Sequence, residues 1–335
     1  MGMRMIGALL AFTVCIAALH SDDSFDPDRL DRFSRELEDL RNRLKLTGMA
    51  AAIVEDQQVV WAEGFGFADL ENGIPVTPDT PFHLASVTKT YASTILMRLV
   101  ERGELDLDDP VSGYGIEMQG SGTITVRHLF SHTSECTPGT RYKYSGDRYS
   151  LLDRVIETTT GESFAANLRQ IIIAPLGLNN TAADPRDLSV PLAGPYTYSR
   201  KEGFVVGSYP EHFSSAAGLM ASVADIARYD IALDRHRFIR AETQELAWAP
   251  TVSTRGKQLP YGLGWFTQRY RGTRLIWHYG WWPPHVSSLY LKVPQQGLSF
   301  IILGNTEALS RGFGLQRGNV LRSPAGRLFL RTFVF

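Results

Sequence analysis

Apolar residues recur at Leu30, Phe33, Leu37, Leu40 and Leu44 within residues 28–46, RLDRFSRELEDLRNRLKLT. Spacings of three and four, with charged residues between, predict an amphipathic helix. Two shorter runs follow, MAAAIVED at 49–56 and QVVWAEGFGFAD at 58–69, and both read as strands. The stretch ENGIPVTPDT is dense in turn formers and breaks the pattern. From Ser86 the period is helical again. Val87, Tyr91, Ile95 and Leu99 lie four apart, and Gly103 ends the run after Glu101-Arg102. Further helices are expected at 125–132, 148–160, 162–173 and 222–235. Past residue 260 the pattern returns to β. YGLGWFTQRY, RLIWHYG, SSLYLKV and GLSFIILGN are short, aromatic or β-branched, and separated by turn residues. A last helical segment is expected at 307–331.

The order is helix and strands, a helical block, then strands and helix. A sheet split across the two chain ends fits this order, with the sheet part at about 25–85 and 245–335 and a helical insertion at about 86–244. The 335 residues are 44% hydrophobic and 21% charged, enough for a core that needs no covalent staples. A net charge of −1 gives no reason to expect a nucleic-acid partner.

The first twenty residues differ from the rest. MGMRM carries one Arg, IGALLAFTVCIAAL is continuously apolar, and the acidic segment HSDDSFDPD follows. This is the shape of a secretory signal peptide over residues 1–20, short for a membrane span. The mature chain, residues 21–335, is expected to be periplasmic or secreted, with no stable membrane insertion after cleavage. An uncleaved anchor is the alternative. Phe12-Thr13-Val14 are too bulky for a lipoprotein site at Cys15. Cleavage leaves one cysteine, Cys136, which can form no internal disulfide and is expected to be a buried, inert thiol.

Ser86 and Lys89 are three apart and share one face if the segment is helical. A serine hydroxyl is a weak nucleophile that needs a nearby base. A lysine amine serves if burial or neighbouring charge keeps it neutral. A helix start adds N–H groups suited to a developing oxyanion. The same spacing also fits a helix-capping serine beside a surface lysine.

The surroundings of the pair decide between these. FADLENGIPVTPDTPFHLASVTKTYAS at 67–93 resembles the serine β-lactamase and penicillin-binding-protein-like family. In the same order come SHTS at 131–134, YSGDRYSLLDRVIE at 144–157 and SSAAGLMASVADIARYD at 214–230. YGLGW at 261–265 and HYG at 278–280 complete the set, so the resemblance covers nearly the whole mature chain. It implies an α+β fold of the α/β sandwich type, with an antiparallel sheet flanked by helices. It also implies roles. Ser86 would be the acylated nucleophile, Lys89 its base or the group that tunes the base, and Tyr144 a phenol relaying protons. His278 and Gly280 would line the strand at the site's edge, and the N–H groups of Ser86 and Trp281 would form the oxyanion hole.

Two departures bear on substrate. The family's Asn after Tyr-x is Gly146, which cannot bond a substrate amide. The Lys of the third motif is His278, so the fixed cation for a substrate carboxylate is missing. Glu135 also replaces a Gly common in the family, in the SHTSEC loop. The departures favour the esterase-like branch: an exported serine hydrolase acting on small carboxylic esters or amides. A β-lactamase or D-amino-acid-specific peptidase is the second expectation, and a non-catalytic ligand-binding protein of the same fold the third. No His/Cys/Asp cluster has ligand spacing, so neither a metal nor an organic cofactor is implied.

Overall fold

The computed structural model describes residues 26–119 and 121–335, and the proposed leader at 1–20 lies outside them. The first helix, α1 (Pro27–Leu44), is built as its period requires. Asp26 caps it by accepting from the Arg29 N–H, Pro27 opens it, and Phe33, Leu37 and Leu40 form the buried stripe. Then come β1 (Gly48–Glu55), β2 (Gln58–Asp69), β3 (Ile74–Pro75) and β4 (Phe82–His83). The helix α2 (Thr88–Glu101) follows.

The intervening block holds α3 (Val126–Phe130), α4 (Gly146–Ser150), α5 (Leu152–Thr160), α6 (Phe164–Leu168) and α7 (Ala174–Leu176). It is not all helical. It also contains β5 (Thr181–Ala182), the hairpin β6 (Tyr196–Ser199) with β7 (Gly203–Val206), and β8 (Met220–Ala221). The helices α8 (Val223–Asp234) and α9 (Ala241–Trp248) close it. The strands β9 (Phe266–Tyr270), β10 (Thr273–Trp282), β11 (Val286–Val293) and β12 (Leu298–Gly304) lead to α10 (Pro324–Phe333). The helix expected over 307–331 is a correction. Three short 3-10 turns, Glu307–Leu309, Leu315–Arg317 and Val320–Arg322, break up its first part, and Pro324 starts the α-helix that fills the rest.

Seven strands form one antiparallel sheet in the order β3-β2-β1-β12-β11-β10-β9. The two chain ends meet where β1 pairs with β12, Met49 opposite Gly304 through Glu55 opposite Leu298. Alternate side chains enter two cores. Ala50, Ala52, Tyr290, Ile301 and Leu303 face α2 and α8. Met49, Ile53, Leu291, Phe300 and Ile302 face α1 and α10. With both faces covered, the strands read as continuous apolar runs rather than alternating ones.

The helix α2 is buried nearly all round, from Thr88 to Met97 and at Leu99. It runs between the sheet and the helical block. Any polar group on it is therefore withdrawn from water, and Lys89 is one of them, with 0% of its surface exposed.

Candidate active site

Ser86 stands where the chain leaves β4 and enters α2, within a single 3-10 turn, Ala85–Val87. The alternative of a helix-capping serine does not hold, because no side chain caps the start of α2. The Ser86 hydroxyl instead accepts a hydrogen bond from Lys89 Nζ at 3.1 Å. The residue before it is strained. Ala85 has φ +46°, a region that costs a residue with a Cβ about 1–2 kcal/mol. Ser86 is half-buried, whereas the residues on either side of it are fully buried.

Lys89 Nζ also donates to Ala216 O at 2.6 Å. It lies 5.2 Å from the ring centre of Tyr144 and 5.0 Å from that of Tyr149. Burial pulls its pKa from 10.5 to about 7. Two buried histidines flank it and stay neutral. Burial, and then the Lys89 charge, push both His132 and His278 well below the ordinary histidine range. The partners assign their tautomers. His278 Nδ1 faces Tyr279 O at 2.8 Å and so carries the proton, leaving Nε2 to accept from the Tyr261 hydroxyl at 2.9 Å. His132 Nδ1 accepts from the Ser145 N–H at 3.3 Å, so its proton is on Nε2, which has no partner.

Tyr144 packs its ring on His132 at 4.3 Å and, nearly parallel, on Phe266 at 6.0 Å. Burial, with Tyr279 second, raises its pKa well above 10, opposed only by the nearby Ser86 hydroxyl. The Tyr144 oxygen has no hydrogen-bond partner, so that proximity falls short of a hydrogen bond. The phenol therefore keeps its proton at neutral pH. A tyrosinate at this position would need a cationic Lys89 beside it. The burial that lowers the amine's pKa also disfavours the phenolate, and above pH 7 the pair is a neutral base beside a neutral acid.

The structure thus brings Ser86, Lys89 and Tyr144 together. His278 and Gly280 lie on the α2 side of β10, where His278 lines the strand from a buried position. It is 0% exposed and tied to Tyr261. Gly280 lies against the nucleophile turn. A Cβ there would come 2.1 Å from Leu84 O and 2.2 Å from Ser288 Oγ, so only glycine fits. The Trp281 side chain belongs to the opposite face, 40% exposed with its indole N–H on Glu307 at 3.0 Å. Of Trp281 only the backbone can serve the site.

Gly146 opens α4 with nothing within 4 Å of where its Cβ would be. Cys136 is exposed, contrary to the expected buried thiol, and takes a hydrogen bond from Arg141. Glu135 forms an ion pair with Lys143. The residues that sequence reading missed are His132, Tyr261 and Ala216. Each lies in a stretch singled out for its resemblance, SHTS, YGLGW and SSAAG, but no spacing rule connects them to Lys89.

A model of the Beta-lactamase family matches residues 33–321, and the chain belongs to this family of serine hydrolases. Penicillin-binding protein 4* of Bacillus subtilis is 26% identical over 305 residues, covering 76% of this chain and 67% of that protein. A D-aminopeptidase of Gluconobacter oxydans is 27% identical over 317 residues, covering 82% of this chain and 59% of that protein. The chain spans about half to two thirds of the length of the curated relatives it matches. Among solved structures, the octameric penicillin-binding protein homologue from Pyrococcus abyssi aligns with a TM-score of 0.78 at 23% identity, over 87% of this chain and 77% of that one. D-amino acid amidase from Ochrobactrum anthropi SV3 aligns with a TM-score of 0.72 at 21% identity, over 90% and 97%. At these identities the structural matches establish the fold.

Proposed function

We propose that this protein is an exported hydrolase that forms an acyl-enzyme on Ser86 and hydrolyses small carboxylic esters or amides. The observation that carries the proposal is the Lys89 amine, fully buried, 3.1 Å from Ser86 Oγ and with its pKa pulled to about 7. Ser86 Oγ attacks the substrate carbonyl and its proton passes to neutral Lys89. Tyr144, protonated and unpartnered, delivers a proton to the leaving group as the carbonyl re-forms, and Lys89 restores the phenol. Water then enters by the same path to release the acid. The N–H groups of Ser86 and Trp281 hold the oxyanion. His278 and Gly280 act on the wall, His278 by fixing Tyr261 and Gly280 by letting β10 lie against the turn.

Neither histidine beside Lys89 supplies a fixed cation for a substrate carboxylate, since both are neutral. That supports a neutral acyl group. Small esters are one reading. Amides of D-amino acids are the second, favoured by the D-aminopeptidase relatives. β-Lactams are the third. The apolar leader supports a periplasmic or secreted location. Among the described residues no helix is long and apolar enough to cross a membrane. The test is a panel of short acyl esters, β-lactams and D-amino-acid amides on the mature protein, with Ser86→Ala as control. Turnover of any class that Ser86→Ala abolishes supports the proposal, and the preferred class selects the reading. No turnover and no covalent adduct would leave a binding protein.

A further inference from the structure

We propose that His83 is a positioning residue for the nucleophile, acting through the backbone of Ala85. The inference rests on Ser86 being the acylated group. His83 ends β4, three residues before Ser86 and opposite Met220 in β8. Its Nδ1 accepts the Ala85 N–H at 3.0 Å. Ala85 is the residue forced to φ +46°, and its left-handed backbone swings the chain out of β4 to present Ser86. Alanine does not favour this conformation, so neighbouring bonds must hold it.

Those bonds come from three sides. Thr88 Oγ1 donates to Ala85 O at 2.7 Å and accepts from the Leu219 N–H at 3.1 Å. Ser288 Oγ donates to Leu84 O at 2.8 Å. His83 supplies the acceptor for the Ala85 N–H. The bond from a side chain to the N–H two residues on has the geometry of an Asx-turn, with an imidazole nitrogen in place of a carboxyl or amide oxygen.

A packing role does not explain a histidine here. The ring is 4% exposed, stacked on Tyr209 at 5.6 Å and edge-on to Trp282 at 5.9 Å. An aromatic hydrocarbon would fill that slot without polar cost. With Nδ1 accepting, the neutral ring carries its proton on Nε2, and Nε2 has no partner. A buried unpartnered N–H is costly. The ring gains one polar contact in return, the one to Ala85. Burial lowers its pKa to about 4, so the lone pair on Nδ1 stays available at neutral pH.

The test measures covalent labelling of Ser86, phosphonylation by a fluorophosphonate or acylation by a penicillin probe, together with kcat and KM on the best substrate of the panel. His83→Leu keeps an apolar side chain but removes the acceptor, and should slow acylation about tenfold with KM changed less than twofold. His83→Asn restores the acceptor by an Asx-turn and should label within threefold of wild type. Ala85→Gly takes the left-handed conformation without strain, so Ala85→Gly placed in the His83→Leu background should recover most of the loss. Wild-type labelling rates in His83→Leu would overturn the proposal. So would an Asn variant as slow as Leu, or no recovery on adding glycine. If His83→Leu does not fold, His83→Asn alone decides, with a loss of tenfold or more counting against. Failure of the underlying reading looks different, because wild type itself would then not label at Ser86.

Discussion

The pH dependence of acylation follows from where Lys89 is. The amine sits on a helix with no exposed surface at that position, and its pKa is pulled to about 7. Only the neutral amine can take the Ser86 proton. At pH 6 about one molecule in ten carries it, and at pH 5 about one in a hundred. The second-order rate constant for probe labelling of Ser86 should therefore fall tenfold per pH unit below a midpoint near 7. No alkaline limb should appear below pH 10, because Tyr144 is raised well above its ordinary value and stays a donor. His132 and His278 titrate well below the ordinary histidine range and add nothing near pH 7. The assay is stopped-time labelling with a fluorescent fluorophosphonate from pH 5 to 9, with folding checked at each pH. A flat profile from pH 5 to 8 would refute the reasoning, as would a single limb in the carboxylate range. Either would mean that Lys89 is not the base.

Three further outcomes follow. Lys89 is depressed in the fold relative to 10.5 in the unfolded chain, so between about 7 and 10.5 the unfolded state binds more protons and stability rises with pH, by about 1.4 kcal/mol per unit. Urea melts at pH 7 and 9 should show this slope in wild type and lose it in Lys89→Met; equal slopes would contradict the buried neutral amine. Tyr144→Phe should cut kcat by about 100-fold or more. It should leave the melting temperature unchanged or higher, since the lost hydroxyl has no partner; a marked fall in stability would assign Tyr144 a structural task. Gly146→Asn has open space for its side chain and should raise amide or β-lactam acylation relative to ester by about tenfold, the worth of one hydrogen bond. An unchanged ratio would show that this position does not face the acyl amide.

The sheet was legible because each of its long strands carries its own apolar signature, from Met49–Val54 to Leu298–Leu303. The helix α1 was legible from a single stripe. The hairpin at Tyr196–Val206 was not, because YTYS and GFVV are four residues each and lie among loop residues. The segment 307–323 was misread as helix, whereas 324–331 is helical as expected. Its apolar residues, Leu309, Leu315 and Val320, anchor separate 3-10 turns on the outer core rather than one continuous stripe. At the site, the spacing of Ser86 and Lys89 also fitted a cap beside a surface lysine, and the resemblance singled out that pair together with Tyr144. The contacts that govern Lys89 were not. Ala216 O, His132 and Tyr149 come from three separate segments, and only folding puts them around one amine. The strain at Ala85 has no sequence signal, since alanine seldom takes a left-handed backbone and marks no turn.

The central claim is that Ser86 becomes covalently acylated. Intact mass measured within seconds of mixing the mature protein with a short activated ester or penicillin addresses it most directly, followed by peptide mapping. The account predicts one added acyl mass on the peptide bearing Ser86, lost on standing as water releases the acid, and none in Ser86→Ala. No adduct on wild type, or the same adduct on Ser86→Ala, would contradict it.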